Sequence, residues 1–161
     1  MRKINPDHID ALLSLINNGL YFKLLNIKVR EFKEGYSKIT VALDQRHLNP
    51  FGGVHGSVYA STIDTSAYWA AYCEMDEDTG YTSLDVSINN LSMKKDGLII
   101  VEGRTVKTGR SICLCQAVAT DEAGKVLAHG TSKLMILQSR QSIQDAIQAM
   151  NSQKLPYKFI Y

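Results

Sequence analysis

Apolar residues Ile9, Leu12, Leu13 and Ile16 fall on one face at helical spacing. Asn5 followed by Pro6 supplies an N-cap and a first helical residue, and Asn17-Asn18-Gly19 supplies a stop. A short apolar piece, LYFKLLN, follows, and then the period drops to two. IKVREF and SKITVAL alternate apolar and polar positions around Glu34-Gly35, which predicts a hairpin. Residues 45–54 read as a loop with two glycines and a proline. From 55 to 73 there is no proline and no glycine after Gly56, which predicts a helix of about 19 residues, some 28 Å long. Its apolar side chains lie nearly all round, so it belongs in the interior, and its Ala, Ser and Gly residues let a sheet approach closely.

Beyond residues 76–80 come four strand-like runs: YTSLDVSINNL, GLIIVEGRTVKTG, RSICLCQAVATD and KVLAHGTSKLMIL. The turns between them look short (Lys95-Asp96-Gly97, Thr108-Gly109-Arg110, Asp121-Glu122-Ala123-Gly124), which predicts a four-strand meander of antiparallel neighbours. QSIQDAIQAM reads as a terminal helix, and the tail LPYKFIY is apolar enough to dock back. Two strands before the long helix and four after it give an α+β, hotdog-like plan. A six-stranded antiparallel sheet would wrap one central helix, with extra helices at both ends.

With 161 residues and no linker or repeat, the chain reads as one domain, 1–161, with its core at about 20–138. Apolar residues make up 45% and charged residues 21%, which is globular composition. The net charge of +2 argues against a nucleic-acid partner but leaves room for a small anionic ligand. No apolar run approaches the roughly 20 residues that span a bilayer. Asp7, His8 and Asp10 stand where a signal peptide would be apolar, so a cytoplasmic protein without a membrane partner is expected. Three cysteines, an odd count, agree. Cys113 and Cys115, two apart in an apparent strand, are expected to point to opposite faces, which suits neither a disulfide nor a metal knuckle. Cys73 reads as a small core residue. His47, His55 and Asp64 match no standard ligand spacing, so no metal is expected.

Asp64 is the only charged residue between Arg46 and Glu74, and its neighbours three and four residues away, Ala60, Ser61, Ala67 and Tyr68, are not basic. An idle carboxylate buried without a partner costs several kcal/mol. It is therefore either a functional group or part of a solvated stripe with Ser57, Ser61 and Thr65. His55 and Gly56 stand where loop becomes helix, with backbone N–H groups free to hold an anion or a developing oxyanion; a tight turn with an ordinary cap is the plainer account. Asn49 and His47 can hydrogen-bond a carbonyl or a water. The hydroxyl of Ser83 is expected on one face with Asp85. Lys94, Lys95, Arg104, Lys107 and Arg110 cluster near the turns, as solvated charges or phosphate ligands.

The order Asn49, Gly53-Val54-His55-Gly56, Asp64, Thr82-Ser83-Leu84-Asp85 resembles the PaaI-type hotdog thioesterases. The likeness runs from about Leu20 to Leu137 and takes in "GRTVKTGRS" and "DEAGKVLAHGTSKLMI". It implies hydrolysis of acyl-coenzyme A thioesters, with the thioester as substrate and no further cofactor. By that resemblance Asp64 is general base or nucleophile, and the Gly56 N–H polarises the thioester carbonyl. Asn49 orients carbonyl or water, Ser83 places the attacking group, and His55 lies beside the carbonyl. It further implies homodimers or dimers of dimers with sites shared between chains. One departure is Ser57, where the family has a second glycine; it either narrows the pocket or adds a hydrogen bond. Gly56 and Asp64 are eight residues apart on one helix, roughly 12 Å along its axis, too far to serve one carbonyl together.

Two alternatives stand beside this reading. A hotdog enoyl-CoA hydratase or dehydratase would pair His47 with Asp64, and a non-catalytic acyl-CoA-binding protein would keep the pocket without the chemistry. The acyl group is open: Phe51, Tyr59, Tyr68, Trp69 and Tyr72 read either as pocket or as core.

Overall fold

In the computed structural model, which describes residues 2–161, Asn5 accepts a hydrogen bond from the Asp7 N–H and opens α1 (Pro6–Asn17). The apolar piece after it forms a further short helix, α2 (Leu20–Leu24). Strands β2 (Ile27–Lys33) and β3 (Tyr36–Ala42) are the expected hairpin. The central helix α3 (Gly56–Tyr72) is two residues shorter than expected, because His55 and Cys73 are its caps. Then come β4 (Thr79–Asn90), β5 (Leu98–Thr108), β6 (Ile112–Thr120), β7 (Val126–Gln138) and α4 (Ile143–Ala149). The tail does dock back: β8 (Phe159–Ile160) pairs with β1 (Lys3–Ile4) near the other terminus.

The six strands β2–β7 form one antiparallel sheet in the order β2-β3-β5-β6-β7-β4, and α3 lies against all six. The expected meander is corrected at one point. β4 does not neighbour β5; it lies at the sheet edge beside β7, paired from Thr79↔Gln138 to Asn90↔Ala128. The connection after β4 is the whole segment 91–97. It is anchored by Leu91 and Ser92 N–H groups on Leu127 O and by Val54 N–H on Lys94 O, so it crosses the end of the sheet and delivers β5 beside β3. Lys95-Asp96-Gly97 is only the end of that path.

Close packing of helix on sheet rests on Gly103 of β5, where a Cβ would stand 2.5 Å from Ser66 Oγ and 2.7 Å from Ser66 O. Ser37 fills the same spot from β3, donating to Ser66 O at 2.7 Å. Around this line Ile63, Ala67, Ala70 and Ala71 are fully buried. Trp69 and Tyr72 belong to the core, with ring centroids 5.2 Å and 5.7 Å from Phe32. Buried residues of α1 and α4 join the same cluster.

The far end of α3 is held by the chain termini. Lys158, fully buried, donates through Nζ to Tyr72 O (2.6 Å) and Met75 O (2.7 Å), placing a cation at the helix C-terminus. The ring of His8 bridges Pro156 O and the Tyr72 hydroxyl, each at 2.7 Å. Burial lowers the His8 pKa below its usual 6.5. The ends of the chain therefore fix where α3 sits.

Candidate active site

Asp64 lies on the half-buried side of α3 that looks toward β4 and β7. Its Oδ1 accepts two hydroxyls, Ser83 Oγ at 2.6 Å and Ser132 Oγ at 3.1 Å. Among the described residues no cation pairs with it, and Oδ2 accepts no hydrogen bond. The carboxylate is oriented but not neutralised.

Ser83 reaches Asp64 because β4 bulges. Ser83 pairs with Leu134 and Asp85 with Lys133, so Leu84 is an extra residue in the ladder. The expectation that Ser83 and Asp85 share a face is thereby overturned. Without the bulge, residues two apart would point the same way. With it, Ser83 turns to α3 while Asp85 turns to the other face and takes Lys133 at 3.2 Å. Ser132 went unnoticed in the sequence, although period-two alternation through Gly130, Ser132 and Leu134 places it on the helix side of β7.

The second half of the site is the loop before α3. Asn49 Oδ1 accepts from Phe51 N–H (2.9 Å) and Gly53 N–H (3.3 Å), and Gly52 supplies the φ of +79° that this tight turn needs. Asn49 thus spends its oxygen on the loop, and its Nδ2–H groups have no partner among the described residues. His55 is the N-cap of α3: its Nδ1 accepts from Ser57 N–H at 3.1 Å and lies 2.8 Å from Ser57 Oγ. Ser57, the departure from the family pattern, adds a hydrogen bond that pins the His55 ring. Gly56 N–H has no partner among the described residues, and Gly56 and Asn49 line one open cavity of about 360 Å³ with Tyr59 and Asn90.

His47 is different. It is buried, its Nδ1 accepts from Asp44 N–H at 2.9 Å, and its Nε2 meets Leu25 O at 2.8 Å. Both nitrogens serve the backbone, so His47 has none free for Asp64, for a water or for a metal.

The candidates therefore fall in two groups on one chain: Asn49, His55 and Gly56 at the start of α3, and Asp64 with Ser83 two turns on. Of the basic residues, Lys94 and Lys95 follow β4 beside the first group. Lys94 is bound to Glu122 at 2.8 Å and, through that hydrogen bond, holds the Glu122 carboxyl down to about 2. Arg104 stacks over Tyr36, and Lys107 and Arg110 flank Thr108, whose hydroxyl binds Glu74 beyond the other end of α3. The five do not form one cluster within a chain.

Phe51 is exposed, whereas Tyr68 packs edge-on against Tyr81. Cys73 is buried, and burial pushes its thiol up to about 11, which removes it as a nucleophile. Cys113 and Cys115 do not point to opposite faces: residues two apart in a strand share one. Both turn into the core with sulfurs 3.7 Å apart.

Residues 51–128 match the model of the thioesterase superfamily. A putative esterase of Haemophilus influenzae is 26% identical over 102 residues, covering 63% of this chain and 74% of that protein. Acyl-coenzyme A thioesterase 13 of Homo sapiens is 26% identical over 117 residues, covering 64% of this chain and 83% of that one. The crystal structure of a thioesterase from Haemophilus influenzae superposes with a TM-score of 0.75 at 23% identity, over 82% of this chain and 92% of that one.

Proposed function

From the match of residues 51–128 to the thioesterase superfamily and from the hotdog fold, we propose that this chain is a PaaI-like acyl-CoA thioesterase, releasing a carboxylic acid and coenzyme A. The observation that carries the reading is Asp64: a carboxylate held at Oδ1 by two serine hydroxyls, with Oδ2 left for a proton or a carbon. In the general-base form, Oδ2 takes a proton from water as the water oxygen bonds to the carbonyl carbon. The oxyanion that develops is received by the Gly56 N–H at the positive end of α3, with Asn49 Nδ2 beside it. Collapse breaks the C–S bond, and the leaving thiolate recovers the proton from Asp64. A thiolate is a far weaker base than an alkoxide or an amide anion and leaves readily, so no strong acid is required. In the nucleophile form, Oδ2 itself bonds to the carbonyl carbon as the C–S bond breaks, releasing the thiolate and leaving an acyl–aspartyl anhydride. Water then cleaves the anhydride, restoring the Asp64 carboxylate, freeing the carboxylic acid and passing its remaining proton to the thiolate.

One chain cannot complete this site, because Gly56 and Asp64 stand roughly 12 Å apart along α3. A two-fold dimer solves the geometry by setting Asp64 of one chain opposite the Asn49–Gly56 loop of the other. The edge position of β4 supports this. It is twelve residues long, pairs on one side only, and exposes Leu84 and Val86, an edge that natural proteins normally cover. Lys95, Arg104, Lys107 and Arg110 are assigned to the coenzyme's phosphates, those of one chain serving the site of the other. A reducing, cytoplasmic setting suits three unpaired cysteines. The test is thiol release over short, medium, long and aromatic acyl-CoAs. Release from at least one class is expected, and hydration of an enoyl-CoA without release from any saturated one would contradict the reading.

A further inference from the structure

The cavity at the start of α3 has more hydrogen-bonding capacity than one thioester carbonyl uses. Asn90, the last residue of β4, pairs with the buried Ala128 and so turns toward the helix. Its Nδ2 sits 2.7 Å from where a Cβ on Gly56 would be, so the missing side chain of Gly56 leaves room for the exposed Asn90 amide at the helix start. Neither amide atom of Asn90 has a hydrogen-bond partner among the described residues, and Asn49 Nδ2 has none either. Tyr59 adds a sharper observation. Its side chain is only 3% exposed, it lines the same cavity, and its hydroxyl has no partner among the described residues. Native proteins rarely leave a buried hydroxyl unpaired without a ligand or a water to meet it. Burial also raises the Tyr59 phenol, keeping it a neutral donor and acceptor.

Counting lone pairs decides what is missing. A carbonyl oxygen accepts two hydrogen bonds. Gly56 N–H and one neighbouring amide fill both, which leaves Tyr59 and a second amide without an acceptor. We propose that Tyr59 and Asn90 bind a second oxygen, carried by the acyl group close to the thioester carbonyl, so that the enzyme selects hydroxyacyl over plain alkyl groups. A hydroxyl suits both partners, because Tyr59 donates and accepts and the Asn90 amide offers either function by rotation. Met93 lines the cavity and gives it an apolar wall for the carbon skeleton. The inference rests on the thioesterase reading above and deepens it. The pantetheine amides are the other source of such an oxygen, but they are common to every acyl-CoA and cannot discriminate between acyl groups.

The experiment compares kcat/KM for butanoyl-CoA with that for 2-hydroxy- and 3-hydroxybutanoyl-CoA, in the wild type, Tyr59→Phe and Asn90→Leu. The wild type should favour one hydroxyacyl substrate about tenfold, the worth of one well-placed hydrogen bond. In both variants that ratio should fall toward one, and Tyr59→Phe should keep or raise the melting temperature because it removes an unpaired buried hydroxyl. Calorimetric binding of the same three compounds to Asp64→Asn protein reads the preference without turnover. Absence of thiol release from every substrate would overturn the hydrolysis reading alone and leave the binding ratio to decide this one. Equal treatment of hydroxyacyl and alkyl groups by the wild type, or a ratio that Tyr59→Phe leaves intact, would overturn the inference.

Discussion

Ser83 Oγ stands 2.6 Å from Asp64 Oδ1, and a single bulged residue, Leu84, puts it there. The strand is bent at the point where the carboxylate needs a donor. Because the two serines hold Oδ1, Asp64→Asn should preserve the fold: an amide oxygen accepts the same hydroxyls. Melting temperature is expected within about 3 °C of wild type, as for a change of under 1 kcal/mol, while kcat falls at least 10²-fold. Near wild-type turnover with a stable fold would remove Asp64 from the chemistry.

Ser83 and Ser132 both donate to Asp64 Oδ1, so under the proposed mechanism their loss should be milder. Each of Ser83→Ala and Ser132→Ala is expected to lower kcat about tenfold with little change in KM, and the double variant to lower it further. Their position should show in the split between kcat and KM. A loss in KM alone would assign these serines to binding.

The exposed cations give a cleaner separation. Charge reversal at Lys95, Lys107 or Arg110 should raise KM for acyl-CoA severalfold and barely affect an acyl-pantetheine that lacks the nucleotide. Lys94→Glu is the informative contrast: Lys94 is tied to Glu122, so its reversal should also lower the melting temperature. Equal effects on both substrates would mean that the residues act through the fold.

His8 couples the tail to pH. Its folded pKa is lowered by burial, so below about 6.5 the unfolded chain binds a proton that the folded chain resists. Stability is therefore present above that pH and lost as pH falls through the window beneath it. Urea midpoints at pH 7 and pH 5 should show a drop in the wild type that His8→Phe lacks, although the variant starts lower. An identical pH slope in both would place the acid sensitivity elsewhere.

Much of this was legible in the sequence, for physical reasons. Period and breakers reveal α1, the β2–β3 hairpin and α3 because those elements are local. The place of β4 beside β7 is not local: it depends on where segment 91–97 finds its hydrogen bonds. The face of Ser83 is hidden in the sequence because a bulge leaves no mark in alternation, whereas the shared face of Cys113 and Cys115 follows from the strand period of two. Asp64 stood out as the lone charge of a buried helix. Ser132, Asn90 and Tyr59 did not, since a serine in a strand, an asparagine at a strand end and a tyrosine in a helix are ordinary until their neighbours are known. His47 looked available and proved to be a loop brace.

The central claim is that Asp64 of one chain works with the Asn49–Gly56 loop of another, and subunit complementation tests it most directly. Asn49→Asp suits the purpose, because a carboxylate oxygen can still close the loop on Phe51 and Gly53 while the Nδ2 donor is replaced by a charge that repels an oxyanion. Asp64→Asn and Asn49→Asp should each be inactive alone. Unfolded and refolded together, half the dimers are hybrids, and each hybrid holds one site with both native residues and one with neither. About a quarter of wild-type activity should therefore return. If hybrids are shown to form and no activity returns, each site belongs to a single chain and the account is wrong.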